Sequence, residues 1–196
     1  SLWLDGVSNP WLTELFSATY FSYYFMIPGL ALFLFFNRKD NELRRFMTAT
    51  CAVFFLSYLI FILLPVECPR YHFATLYKNN LTGPVLRPLV DMVIGQAAFR
   101  GGAMPSSHVA EALVVMYFAI RAYGRRAYFM IAAVIGLALG TIYGRFHYIS
   151  DVIAGGILGF IVIWLTLVFY SKEKDMMQEQ ILSNSDMKRD YVSNHI

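Results

Sequence analysis

"GGAMPSSHVAEALVVMYFAIRAYGRR", residues 101–126, is the stretch whose reading decides the fold. Two glycines and a proline break the backbone, and Ser106, Ser107 and His108 follow. An apolar run then continues until a turn with three arginines ends it. Crossing about 30 Å of hydrocarbon takes roughly 20 mostly apolar residues, so the run reads as a membrane span. What sets it apart is a histidine and a carboxylate, Glu111, at its mouth.

Working outward, the same alternation of apolar run and charged turn recurs along the chain. Spans are expected over about 11–36, 46–64, 107–123, 127–143 and 148–170. Composition agrees: 58% of the 196 residues are hydrophobic, 17% are aromatic and 15% charged, with a mean hydropathy of +0.51. An ordinary soluble domain carries about a quarter charged residues. The expectation is an all-α polytopic membrane helix bundle of five spans, a single membrane-embedded domain over 1–170. A polar tail over 171–196 follows, either a frayed cytoplasmic helix or disordered. Residues 84–98, "PVLRPLVDMVIGQAA", predict a short helix or re-entrant segment, bracketed by Pro84 and Gly101-Gly102. Cys51 and Cys68 form no C-x-x-C pair and imply neither a disulfide framework nor a metal site. "SLWLDGVSNPW" lacks the basic-then-apolar pattern of a signal peptide.

The basic turns set a direction. "NRKDNELRR" (37–45), "RAYGRR" (121–126) and "SKEKD" (171–175) all fall on one side of alternating helices, the cytoplasmic side by the positive-inside rule. Residues 65–106 then lie outside, yet they hold Arg70, Lys78, Arg87 and Arg100 against Glu67 and Asp91. Cations on the side that is normally poor in them point to an anion to be bound.

Two polar clusters meet the outer ends of spans. In "PSSHVAE", Pro105 is expected to begin a helix whose first turn carries Ser106, Ser107 and His108. The free N–H groups and partial positive charge of such a helix start suit a phosphate. In "YGRFHYISDVIAGG" (143–156), His147 and Asp151 are four apart and share one helical face. A carboxylate there can hold the imidazole by one nitrogen and leave the other to attack. Arg145 lies just upstream and can reach the same space. Glu111, one turn below His108, has three roles open to it: orienting the histidine, pairing with an arginine, or lining a polar cavity. The aromatics of "YFSYYF" and "FFLSYLIF" read as packing or lipid-facing residues.

These residues resemble the type 2 phosphatidic acid phosphatase superfamily, whose pattern is K-x6-R-P, then P-S-G-H, then S-R-x5-H-x3-D. The second part stands here as Pro105-Ser106-Ser107-His108, and the third as His147 and Asp151 followed by "VIAGG". Thr141 stands where the third part has its arginine and Gly140 where it has its serine, so Arg145 is the available substitute. In the first part Arg87-Pro88 matches, but Asn80 occupies the lysine position and Lys78 comes two residues early. "VECPRYHF" offers Arg70 instead. The resemblance implies six spans with the first motif after the third. Here it follows the second, so one more span is expected upstream.

What the resemblance implies is a metal-independent lipid phosphate phosphatase acting through a phosphohistidine, with no cofactor. His147 would be the nucleophile, Asp151 its partner and His108 the general acid. Arg145, Arg70, Lys78, Ser106 and Ser107 would bind the phosphoryl group, with Glu111, Arg87 and Arg100 supporting. Substrates open to it are membrane lipids bearing a phosphomonoester or pyrophosphate. No nucleic-acid partner is expected, and oligomeric state is left open. The same residues admit a phosphotransferase that passes the group to an alcohol, in the manner of inositol-phosphorylceramide synthases. More remotely, they admit a non-catalytic lipid-binding or transport protein. The expected location is the cell (inner) membrane of a prokaryote, with the site on the outer or periplasmic side.

Overall fold

Asn9 and Pro10 open the first long helix: the Asn9 side chain accepts the Leu12 N–H, and proline fits the first helical position. From there the computed structural model, which describes residues 2–97 and 100–193, runs through seven α-helices. They are α1 (Pro10–Phe36), α2 (Asp40–Leu63), α3 (Pro69–His72), α4 (Leu86–Ala97), α5 (Ser107–Tyr123), α6 (Phe129–Tyr143) and α7 (Ile149–Ser193). Among the described residues there is no strand, only an isolated parallel bridge between Val66 and Gly102. Ser1, residues 98 and 99 of the expected outer segment and the last three residues of the tail lie outside the described residues.

The five long helices fall where the five spans were expected, but they are not equivalent. Three are long and apolar enough to cross a membrane: Pro10–Phe36, Asp40–Leu63 and the Ile149–Glu173 part of α7. Helix α6 is apolar but has only 15 residues. Helix α5 has 17, about 25 Å at 1.5 Å per residue, and carries His108, Glu111 and Arg121. The physical reason is enclosure. Helix α5 packs against α1, α2, α6 and α7 at once. Its neighbours, rather than its own apolar surface, keep it from lipid.

Helix α7 shows how that enclosure is achieved. Its buried positions Asp151, Gly155, Gly159, Val162, Ile163 and Thr166 recur at helical spacing, while Ile153, Ile157, Phe160 and Trp164 face outward. A Cβ at Gly155 would collide with the Ser106 carbonyl, and one at Gly159 would come within 2.8 Å of the Ala110 carbonyl. The two glycines therefore let α7 lie directly on α5, as small residues four apart do between membrane helices. This contact brings the start of α7 beside the start of α5.

The outer segment folds over the same end. Helix α4 realises the short helix expected over 84–98, and its first turn is anchored by a residue in α1. Glu14 accepts the backbone N–H groups of Val85, Leu86 and Arg87 at 2.9–3.1 Å. A carboxylate at this position satisfies donors that a helix start leaves free and complements its dipole. At the opposite end of the bundle, Arg121 of α5 is bonded to Glu42 of α2 at 2.9 Å.

Candidate active site

The first turn of α5 begins two residues later than Pro105, where the sequence suggests it. Pro105 precedes the helix, Ser106 is its N-cap, and Ser107 is its first residue. The Ser106 side chain accepts the Val109 N–H, and its own N–H donates to the Asp151 carbonyl at 2.9 Å. The starts of α5 and α7 are thus joined through backbone as well as by the glycine contact. The segment before them is held by the bridge, where Val66 N–H donates to Gly101 O and Ala103 N–H to Val66 O, each at 3.1 Å.

That bridge matters because Ala103 holds His147. The imidazole Nδ1 lies 2.8 Å from the Ala103 carbonyl oxygen, so Nδ1 carries the proton and Nε2 keeps its lone pair. Asp151, buried like His147, stands 3.7 Å from Nδ1. Its oxygens accept the Tyr148 N–H at 2.7 Å and the Ser150 hydroxyl at 3.2 Å. The bond to Tyr148 closes the first turn of α7 in the manner of a capping box. The ring is therefore fixed by a backbone carbonyl, and the carboxylate adds charge beside it.

His108 faces His147 with ring centroids 5.7 Å apart. Its Nε2 lies 3.0 Å from the Tyr20 hydroxyl, and the Tyr20 and Tyr23 rings pack on it at 5.0 and 4.6 Å. Both histidines line one cavity of about 550 Å³. Its wall includes Arg70, Ser107, Gly102 and Phe146, and it continues between α1 and α2 past Tyr23, Tyr24, Ile27, Phe54 and Tyr58. Cys68 also lines it, but burial pushes its thiol up to about 11, so it stays protonated at neutral pH.

The basic residues separate into two groups. Arg70 is on the cavity, 3.9 Å from Asp91, and its Nη1 is buried without a hydrogen-bond partner among the described residues. Arg145 is adjacent in sequence to the cavity residue Phe146, yet its side chain turns away. It bonds Asp5 at 2.6 Å and the Asn79 carbonyl at 2.7 Å, and lies 3.8 Å over the Tyr77 ring. Its backbone sits at φ 64°, and its carbonyl accepts the Arg70 N–H at 2.9 Å. Arg87 is engaged by both oxygens of Asp91, at 2.8 and 3.0 Å. Arg100 lies 5.0 Å over the Tyr71 ring, and Lys78 is exposed, its backbone N–H bonded to Asp5. Ser107 reaches the cavity, whereas Ser106 is wholly buried in its capping role. Glu111 is also wholly buried. Among the described residues no three His, Cys, Asp or Glu side chains converge as a metal site would require.

Sequence reasoning missed Tyr20. The signal was present in "YFSYYF", where Tyr20, Tyr23 and Tyr24 share one helical face, but an aromatic run in a span reads first as packing. It missed Glu14 for a different reason: nothing local ties it to a helix 71 residues away.

Comparison with known proteins adds three findings. The model of the PAP2 superfamily matches residues 2–165. A PA-phosphatase related-family protein of Dictyostelium discoideum is 26% identical over 166 residues, 72% of this chain, and the chain spans 30% of that protein's length. The crystal structure of Aquifex aeolicus LpxE is alike in fold, with a TM-score of 0.61 at 18% identity over 84% of this chain and 90% of that one.

Proposed function

Because the chain belongs to the PAP2 superfamily, we propose that it is an integral membrane lipid phosphate phosphatase that works through a phosphohistidine. The observation that carries this reading is the pairing of His147, with a free Nε2, and His108 across one cavity walled by Arg70. His147 Nε2 attacks phosphorus, and the ester P–O bond breaks as the P–N bond forms. His108 gives its Nε2 proton to the departing alkoxide as general acid. Water then attacks the phosphohistidine, surrendering its proton to His108, and phosphate leaves.

The rest of the cavity suits the charge that moves. Arg70 has an unused guanidinium nitrogen, and the start of α5 offers free backbone N–H groups and the Ser107 hydroxyl. These stabilise the phosphoryl oxygens where charge develops. The apolar and aromatic extension between α1 and α2 fits a lipid tail. The arginine-rich turns lie at the opposite end of the helices, so the positive-inside rule puts the histidines on the outer face.

The test is phosphate release from a phosphatidic acid in detergent without added metal. Release is expected from the wild type and not from His147→Ala. Transfer of the phosphoryl group to an added alcohol, with negligible release, would replace the hydrolase reading by a transferase. Activity that survives both His147→Ala and His108→Ala would end the phosphohistidine mechanism.

A further inference from the structure

One carboxylate inside the bundle has no part in the reaction as described. Glu111 of α5 is wholly buried, and neither of its oxygens has a hydrogen-bond partner among the described residues. Buried carboxylates are ordinarily paired, and an ionisable group within a membrane helix is retained for a function because lipid penalises it. Three residues earlier, His108 uses Nε2 toward Tyr20, while its Nδ1 is buried and likewise unpartnered. Residues three apart lie on one helical face, and helical side chains lean toward the N-terminus. The carboxylate of Glu111 therefore leans toward the turn that carries His108.

The other elements around α5 present hydroxyls and the second histidine pair. Helix α1 contributes Tyr20 and Tyr23, whose rings pack on His108. Helix α2 brings Thr50 to face Glu111. His147 and Asp151 stand across the cavity, paired with each other.

We propose that Glu111 is the positioning residue of His108, holding the Nδ1–H of the imidazole through one bridging water. It balances the ring's charge while Nε2 is protonated. The proposal rests on the phosphohistidine reading above and assigns the general acid its partner. When the P–O bond breaks, the Nε2 proton goes to the alkoxide, leaving a neutral imidazole with Nδ1–H bridged to the carboxylate. When water attacks the phosphohistidine, its proton returns to Nε2 as the P–N bond breaks, and the imidazolium–carboxylate pair is restored.

The experiment is single-turnover alcohol release from two lipid-like phosphates, one an alkyl ester and one a p-nitrophenyl ester. An alkoxide needs a proton to leave, and p-nitrophenolate does not. Glu111→Gln is expected to slow release from the alkyl ester by roughly 10–100-fold, part of the about 10²–10⁴-fold that general acid catalysis supplies. Release from the p-nitrophenyl ester should stay near the wild-type rate. Glu111→Asp, which keeps the carboxylate, should recover part of the alkyl rate and serves as the second variant if the glutamine form is not monodisperse. Equal slowing on both esters, or no slowing on the alkyl ester, overturns the proposal. If His108→Ala releases the alkyl ester at the wild-type rate, the histidine mechanism has failed and Glu111 falls with it. If His108→Ala is slow and Glu111→Gln is not, only Glu111 has failed.

Discussion

Each of the two facing histidines has a carboxylate three or four residues further along the chain, in the first turns of α5 and α7, yet the two pairs are built to opposite standards. At the start of α7, His147 is locked by the Ala103 carbonyl, and Asp151 is held in turn by Tyr148 and Ser150. At the start of α5, among the described residues, His108 has a single hydrogen bond, to Tyr20, and both its Nδ1 and Glu111 lack hydrogen-bond partners. A nucleophile must keep one tautomer and one orientation, so every bond that fixes it helps. Asp151→Asn attacks the rigid side and carries the largest expected effect. The amide loses the charge beside His147 and weakens the cap of α7, so kcat should fall by about 10²–10⁴-fold. A loss below tenfold would mean that the Ala103 carbonyl alone sets the ring, and the two pairs would then differ less than their geometry suggests.

The arginines repeat the contrast between committed and available groups. Arg70 lines the cavity with one nitrogen that has no hydrogen-bond partner among the described residues, whereas Arg145 is occupied by Asp5 and Asn79. Charge-assisted hydrogen bonds contribute about 1.5–3 kcal/mol, so Arg70→Gln should lower kcat/KM by roughly 10–100-fold. Arg145→Gln should cost less in kcat/KM than Arg70→Gln and should instead expose the loop around residue 79 to limited proteolysis. Equal kinetic losses from the two variants would show that Arg145 leaves Asp5 for the substrate phosphate.

The legible part of this molecule is the part that depends on local spacing. Helix positions followed from apolar runs and charged turns, whereas the one helical face expected for His147 and Asp151 was not formed: His147 lies two residues before α7, and the turn into that helix brings it to 3.7 Å from Asp151. Two histidines at span starts on the same side were enough to bring the clusters together in outline. What stayed hidden depends on contacts between distant segments. The direction of the Arg145 side chain is decided by Asp5, 140 residues away, and the partner of His147 Nδ1 is a backbone carbonyl that leaves no mark in side-chain identity. The surroundings of α5 were also hidden, because enclosure by four helices is a property of packing rather than of composition.

The smallest expected effect tests the loose side of the comparison most directly. Thr50 of α2 faces Glu111, and its hydroxyl is buried without a hydrogen-bond partner among the described residues. An unsatisfied buried polar group costs about 1–3 kcal/mol, so exchanging it for an apolar group of the same shape should not destabilise the fold. Thr50→Val is therefore expected to leave thermal stability in detergent unchanged or raised by about 1 kcal/mol. A buried hydroxyl that anchored Glu111 would give the opposite sign, and the variant would unfold at a lower temperature. That outcome would mean the region behind His108 is tied down as firmly as the start of α7. The difference between the two histidine pairs would then lie in their chemistry and not in their support.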